Sequence, residues 1–275
     1  LASGEVKKID RQSAPEEMRA ASVAVGSLGV IVALELQAIS MPWVRVEELS
    51  TTVDDFLLQM PALTQRHEHL WGHWHLGTDR ITLKCLETRA EPEQGFRPYV
   101  AGDEPFWGDK NWKSASIDRA KSVVRRITNL HPAVAAAAKR AMGSNQQVAM
   151  SMQYGVAASQ APAAIEKLRS SEFSKSNPTR VLEIKFLKAS DQSYLGPNAG
   201  YDSVLFNTWW LADEAVKLKI FDPFENVMRQ LGARPHWGKL HRRPDIEYLR
   251  AAYPGWSSFE AVRTRFDPNQ MFAIY

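Results

Sequence analysis

The sequence is poor in cysteine, since Cys85 is the single thiol among 275 residues. A disulfide within the chain is therefore excluded, and the low cysteine content favours a reducing compartment such as the cytoplasm. Long hydrophobic runs are also missing. The longest one, 21–36, is interrupted by serine and glycine, and a membrane helix needs roughly 20 apolar residues. No membrane segment is expected.

A large excess of charge of one sign is absent as well. The formal net charge is +3 at pH 7, which is too small to indicate nucleic-acid binding. Hydrophobic residues make up 44% and charged residues 24%, so a globular chain of one large or two modest domains is expected. The sequence does hold nine tryptophans. Such rings either fill a core or line a pocket for flat or polyhydroxylated ligands.

The order of apolar patterns predicts an α+β fold, in which helices cover one face of an antiparallel sheet. The strands of this sheet are expected at 69–76, 80–86, 147–154, 181–187 and 203–210. Further strands are predicted at 5–9, 30–36 and 43–49. Helices are predicted at 15–22, 53–63, 117–142, 161–169, 213–231, 245–253 and 256–266. Ser13 is expected to cap the first helix, and Pro223 to interrupt the fifth. The stretch 91–113 has no period and predicts a long excursion or lid.

Two predicted strands carry polar residues in an apolar setting. Residues two apart in a strand share a face, so VLEIKFL places Glu183 and Lys185 on one side. VLFNTWWLA likewise places Asn207 with Trp209 on one side and Thr208 on the other. Such polar residues either face solvent, are satisfied within a core, or line a polar pocket.

The stretch RHEHLWGHWH contains four histidines at 67, 69, 73 and 75. Alternate histidines on a strand can share a zinc ion, but this spacing fits no common zinc signature and no cysteine lies nearby. No metal site is predicted. The remaining alternatives are surface histidines and a strand that borders a sugar-like pocket.

The loop ARPHWGKLH, 233–241, combines a titratable ring, a large aromatic ring, a glycine and a point charge. Together with five other pieces, it resembles the C-terminal part of the aldonolactone and alditol oxidases, which are flavoenzymes of the vanillyl-alcohol-oxidase-like group. The pieces occur in the order of that family: GSLGVI at 26–31, EIK at 183–185, Thr208, PHWGK at 235–239, YP at 253–254 and DPNQMF at 267–272. The resemblance covers almost the whole chain.

The resemblance implies two domains and a set of site residues. Residues 1–38 correspond to the end of an FAD-binding domain, and residues 39–275 to a substrate-binding cap with the C-terminal helices and tail. The implied catalytic residues are Glu183, Lys185 and Lys239. The implied cofactor-binding residues are Gly26, Gly29, Val30, Ile31 and His236. Thr208 is implied in substrate binding, and the strand pattern adds Asn207 and Trp209.

This chain departs from the family pattern at two site positions. Lys185 stands where the alditol oxidases carry arginine. The bidentate guanidinium of arginine is thus replaced by the point charge of a lysine. Phe206 stands where they tend to carry histidine. Both changes concern the choice of polyol or lactone.

The function implied by the resemblance is FAD-dependent oxidation of a CH–OH group in a sugar-derived lactone or polyol, by hydride transfer to the flavin with oxygen as acceptor. The first half of the flavin domain is expected from another chain or from a longer protein. Alternatives are a dehydrogenase that uses another acceptor, an enzyme of a larger alcohol such as a sterol, and a non-catalytic binding subunit of a split flavoprotein. Neither nucleic acid nor a membrane is expected as a partner.

Overall fold

The computed structural model describes residues 1–99, 148–176, 181–212, 214–242 and 246–272. Within these ranges the strands form one eight-stranded sheet in which each pairing is antiparallel. The strands are β1 Trp43–Thr52, β2 His69–His75, β3 Arg80–Arg89, β4 Arg97–Pro98, β5 Val148–Ala157, β6 Val181–Leu187, β7 Ser203–Ala212 and β8 Arg234–Pro235. Their order across the sheet is β4-β1-β3-β2-β6-β7-β5-β8. The predicted antiparallel α+β architecture is confirmed.

Seven α-helices accompany the sheet within the described ranges. They are α1 Pro15–Ala21, α2 Val53–Arg66, α3 Ala161–Ser170, α4 Glu172–Ser176, α5 Glu214–Gln230, α6 Ile246–Ala252 and α7 Trp256–Phe266. None of these helices is both long and apolar enough to cross a bilayer. Helix α5 runs through Pro223 without the predicted break. Phe221 and Phe224 are buried on either side of that proline in the core that α5 shares with the sheet.

The sheet and helices α2 to α5 form the larger of two hydrophobic clusters. Burial alternates strictly along β2, where Leu70, Gly72 and Trp74 are buried and the residues between them are half-buried. This alternation is the signature of a strand with only one face packed on a core. Helix α2 supplies Phe56 and Met60 to the same core. The opposite face of the sheet is therefore available for polar groups.

The smaller cluster joins the start of the chain to its last helices. Ala20 of α1 and Leu28 pack there with side chains of α6 and α7, such as Leu249 and Phe259. Trp237 packs against this cluster, and its ring stacks on Tyr253 at a centroid distance of 5.7 Å. The boundary predicted at residue 38 stays a prediction. The packing nevertheless groups residues 1–28 with α6 and α7.

Two predictions about the first residues of the chain are wrong. Residues 5–9 do not form a strand, because Lys7 binds Glu17 of α1 at 2.8 Å and lies over the ring of Phe266 instead of joining a sheet. Ser13 does not cap α1, since its hydroxyl donates to Asp10 at 2.5 Å and Ala14 occupies the cap position.

Residues 30–36 are also not a strand, and Val30, Ile31, Val32, Leu34 and Leu36 are 64–84% exposed. A strand requires a neighbour to accept its backbone hydrogen bonds, and none of the described strands pairs with this segment. The predicted helix 117–142 and most of the predicted excursion 91–113 lie outside the described residues.

Candidate active site

Three adjacent strands bring their polar side chains together on the face of the sheet opposite the helices. In the register of β6 and β7, Glu183 lies directly opposite Asn207, and in the register of β7 and β5, Asn207 lies opposite Gln153. Asn207 and Gln153 are each only 5% exposed. Because buried amides must find partners, these two side chains indicate a built polar site rather than a solvated surface.

A continuous chain of polar contacts runs through this site. Lys185 Nζ lies 3.1 Å from Glu183 Oε2, which also accepts a hydrogen bond of 2.9 Å from Asn207 Nδ2. Lys239 Nζ donates to Asn207 Oδ1 at 2.8 Å and to Gln153 Oε1 at 2.7 Å. The structure thus brings together the three residues expected to be catalytic, with Asn207 as the link between them.

Lys239 reaches the site because its loop continues the sheet. The backbone of His236 donates to Gln153 O at 2.9 Å, and Leu240 N donates to Ser151 O at 3.0 Å. A tight turn closes between these two anchors, since Lys239 N donates to His236 O at 3.0 Å. These backbone hydrogen bonds hold the loop along β5, and the lysine side chain is directed back over β5 and β7.

A buried carboxylate holds the far end of this loop. Glu225 of α5 is fully buried and accepts hydrogen bonds from the hydroxyl of Tyr154, from Arg242 N at 2.8 Å and from Arg242 Nε at 2.7 Å. Arg242 follows the loop directly. Helix α5, strand β5 and the lysine loop therefore share one anchor beneath the site.

The site carries more positive than negative charge. Two lysines, 185 and 239, share the single carboxylate of Glu183, while Asn207 and Gln153 are neutral. The pKa of Lys239 is lowered to about 8, chiefly by burial and also by the charge of Lys185, while Glu183 acts in the opposite direction. Two neutral oxygens thus orient an ammonium group without neutralising it.

His236 is held as a neutral ring. Burial lowers its pKa, and the positive charge of Lys239 adds to that effect. Its Nδ1 accepts a hydrogen bond of 3.1 Å from Gly238 N. Because a neutral imidazole carries one proton, that proton lies on Nε2, which can donate to a ligand.

The structure does not bring Thr208 to this site. Alternation along β7 turns Thr208 away from Asn207, and its partner in register is Met152 of the helix-facing core. Thr208 is only 2% exposed. The substrate-binding role that the resemblance implies for Thr208 stays a prediction, and it receives no support from this geometry. Trp209 shares the face of Asn207 and is half-buried there, so its position agrees with the site.

The segment 26–31 lies with the smaller cluster. Leu28 is buried there, whereas Val30 and Ile31 are exposed. Gly26 and Gly29 have φ values of 73° and 143°, a region that side chains disfavour. The predicted cofactor role of Gly26, Gly29, Val30 and Ile31 stays a prediction.

Sequence reasoning missed Gln153 as a member of this face, and for His73 it left open a surface position or a strand that borders a sugar-like pocket. Gln153 sits in a strand that was predicted, between the buried side chains of Met152 and Tyr154. A polar residue at an alternating position of an apolar strand was the available signal. His73 lies opposite Glu183 in the register of β2 and β6, and only the strand order could reveal that neighbour.

Residues 34–274 match the family model of D-arabinono-1,4-lactone oxidase. The chain belongs to this family. Among its relatives, L-gulono-1,4-lactone dehydrogenase of Mycobacterium tuberculosis is 24% identical over 282 residues, and L-gulonolactone oxidase of Scyliorhinus torazame is 23% identical over 290 residues. Each match covers 98% of this chain and 64% of the relative. An alditol oxidase of Streptomyces is 33% identical over 84 residues, which cover 30% of this chain and 20% of that protein.

A solved structure supports the same fold for this member of the D-arabinono-1,4-lactone oxidase family. The chain is similar to a solvent-stable cholesterol oxidase with a TM-score of 0.59 and 13% identity, over 98% of this chain and 65% of the other. This likeness concerns the fold alone. The resemblance drawn from the sequence, to the C-terminal part of the aldonolactone and alditol oxidases, is confirmed by the family match.

Proposed function

We propose that the protein containing this chain is an FAD-dependent oxidoreductase that oxidises a CH–OH group of a sugar-derived lactone or polyol, with oxygen as the electron acceptor. The observation that carries this proposal is the ammonium group of Lys239. It is held by the oxygens of Asn207 and Gln153 and linked through Asn207 to the carboxylate of Glu183.

The residues of this site fit a flavin. Bound FAD supplies the acceptor for the hydride that leaves the alcohol carbon. A preorganised cation stabilises negative charge as it develops, and Lys239 is such a cation, because the oxygens that accept its side-chain hydrogen bonds belong to neutral amides. His236 would contribute its Nε2 proton as a donor to the cofactor. Gly26 to Ile31 would lie along the cofactor, where positive-φ glycines allow close backbone approach.

Glu183 is the residue suited to the substrate hydroxyl. Its side chain is 15% exposed, so a ligand on the open face can reach it while its other contacts hold it in place. It would accept the hydrogen bond of the hydroxyl and take its proton as the carbon is oxidised. Lys185 and Asn207 both contact Oε2, so Oε1 is the oxygen left to face the substrate.

The flavin-binding half would also cover the exposed apolar segment 30–36. Exposed apolar patches commonly mark interaction sites, and the chain spans only 64% of the length of the relatives above. We propose that this segment pairs with flavin-domain strands from outside these residues.

The test is to purify the complete protein and record its visible spectrum before and after anaerobic mixing with aldonolactones and alditols. The proposal expects a flavin spectrum that bleaches with these compounds, and reoxidation by air. Lys239→Met should slow bleaching at least tenfold, because about 1.4 kcal/mol of charge stabilisation corresponds to tenfold in rate. Lys188→Met is the matched control, since that lysine is largely exposed beside Asp202.

Three outcomes would contradict the proposal. A protein without flavin would support a non-catalytic binding subunit. Bleaching by a sterol but not by sugar derivatives would support an enzyme of a larger alcohol. Bleaching without reoxidation by air would identify a dehydrogenase.

A further inference from the structure

A row of six polar side chains crosses the sheet on the face opposite the helices. Each member lies directly opposite the next in the strand register, over six neighbouring strands. The row consists of Ser50, Thr82, His73, Glu183, Asn207 and Gln153. The proposed chemistry uses only its last three members, so the first three need a separate explanation.

Burial increases steadily along this polar row. Ser50 is exposed, Thr82 and His73 are half-buried, and Asn207 and Gln153 are almost fully buried. Residues on either side of Thr82 and His73, such as Leu83 and Trp74, belong to the helix-facing core, so alternation directs both polar side chains to the site face. The row thus runs from an accessible end at β1 to a deep end beside Lys239.

The spacing of the row suits an elongated ligand with several hydroxyl groups. Neighbouring strands lie about 4.8 Å apart, so Thr82 is about 10 Å from Glu183 along the row. Trp71 is on the same face and lies opposite Lys185. An aromatic ring beside polar groups offers an apolar surface to the C–H groups of a sugar derivative.

His73 is the member of the row best suited to a hydroxyl beyond the reacting carbon. It lies between Glu183 on one side and Thr82 on the other. Burial lowers its pKa, with Glu183 opposing, and a neutral imidazole offers one donor and one acceptor. A hydroxyl group likewise both donates and accepts, so the two are complementary.

We propose that His73 is a specificity-determining residue, which binds the hydroxyl-bearing part of the substrate beyond the reacting carbon, with Thr82 as the next contact along the row. This inference rests on the proposed function and extends it. It assigns the substrate as an open-chain polyol, or a lactone with a hydroxylated side chain, laid across β6, β2 and β3.

The experiment uses the complete flavin-loaded protein with glycerol, xylitol and sorbitol, which differ in chain length. Anaerobic rapid mixing gives an apparent Kd and a limiting rate of flavin reduction for each. His73→Ala should weaken xylitol and sorbitol about three- to tenfold, as expected for one lost hydrogen bond. Glycerol binding and the limiting rates should change by less than about twofold, because the deep end is intact.

Two further variants and a control complete the design. His73→Gln retains a donor and an acceptor and should recover part of the lost affinity. Thr82→Val should weaken sorbitol more than xylitol, because its position is farther from Glu183. Gln192→Ala is the control, since that exposed residue lies on the loop between β6 and β7, outside the row. Thermal unfolding of each variant identifies any that fail to fold. If His73→Ala fails to fold, the affinities of His73→Gln for the three alditols test the inference in its place.

Equal weakening of all three alditols in His73→Ala, or no weakening, would overturn this inference while leaving the proposed function intact. If none of the alditols reduces the wild-type flavin, calorimetric titration replaces the rates. If the wild type then binds sorbitol more tightly than glycerol, and His73→Ala abolishes this preference, the inference is supported although the proposed oxidation has failed. Absence of that preference would overturn it.

Discussion

Arg242 Nε donates a hydrogen bond of 2.7 Å to the carboxylate of Glu225, a side chain with no exposed surface. Arg242 itself is 42% exposed, so the pair is buried at one end only. This contact fastens the loop of Lys239 to helix α5. Its loss is therefore expected to affect both the stability of the fold and the placement of the lysine.

Replacement of Arg242 by alanine should destabilise the protein by about 2–3 kcal/mol. Removing one partner of a buried pair costs roughly 3–5 kcal/mol, and the partial exposure of Arg242 reduces that cost. Urea denaturation measures the change. The control is Arg250→Ala, whose ion pair with Glu260 at 3.7 Å is largely exposed and should contribute less than about 1 kcal/mol. Equal effects of the two variants would contradict the anchoring role of Glu225.

The lowered pKa of Lys239 predicts a specific dependence of stability on pH. The pKa of Lys239 is about 8 in the folded state and near 10.5 in the unfolded state. Between these values the unfolded state binds more protons, so the free energy of unfolding rises as the pH increases. The rise should be about 1–2 kcal/mol after allowance for partial exposure. Lys239→Met should remove it and Lys188→Met should keep it, as measured by urea denaturation from pH 7.5 to 10.5.

Gln153→Glu should move the pH profile of flavin reduction. If protonated Lys239 assists the reaction, the rate falls as the pH rises through about 8. A carboxylate at position 153 would stand where an oxygen now lies 2.7 Å from Nζ, which raises a lysine pKa by roughly 1–3 units. The descending limb should shift upward accordingly, whereas Gln192→Glu on an exposed loop should not shift it. If the descending limb stays at the same pH in Gln153→Glu, the group that titrates there is not Lys239.

Asn207 and Thr208 should behave differently although they are adjacent. Asn207→Leu removes the hydrogen bonds to Glu183 and Lys239 and should lower the limiting rate of flavin reduction about 10- to 100-fold. Thr208→Val retains the shape of a side chain that faces the helices, so the rate should stay within about threefold. Circular dichroism checks that both variants fold. A larger loss of rate in Thr208→Val would restore its predicted role in substrate binding.

The exposed segment 30–36 predicts poor solubility for a polypeptide restricted to residues 1–275, together with weak or absent FAD binding. Exposed, unpaired apolar segments favour aggregation. Val32→Lys combined with Leu34→Lys should reduce light scattering of that polypeptide, but should weaken FAD binding in the complete protein. Val6→Lys is the control, since Val6 is equally exposed but lies outside the segment. Micromolar FAD binding by the unmodified polypeptide would contradict this prediction.

Much of the sheet was predictable because its signals are local. The alternation in β2, β6 and β7 follows from the period of two in any strand, and it placed Glu183 and Lys185 on one face correctly. The same rule placed Asn207 and Thr208 on opposite faces of the strand. The resemblance to the family nevertheless implied a substrate-binding role for Thr208. The failures at 5–9 and 30–36 have another cause. A strand needs a partner, and the local sequence does not state whether one is present.

The sequence by itself determined the alternating faces of the strands, the amphipathic helices that cover one of them, and the family of the protein. Only the tertiary structure decided which polar groups meet. Glu183, Asn207, Gln153 and Lys239 belong to β6, β7, β5 and a loop, and they converge because β7 lies between β6 and β5 while the loop extends β5. Strand order and register arise from contacts between residues far apart in the chain, and no local period encodes them.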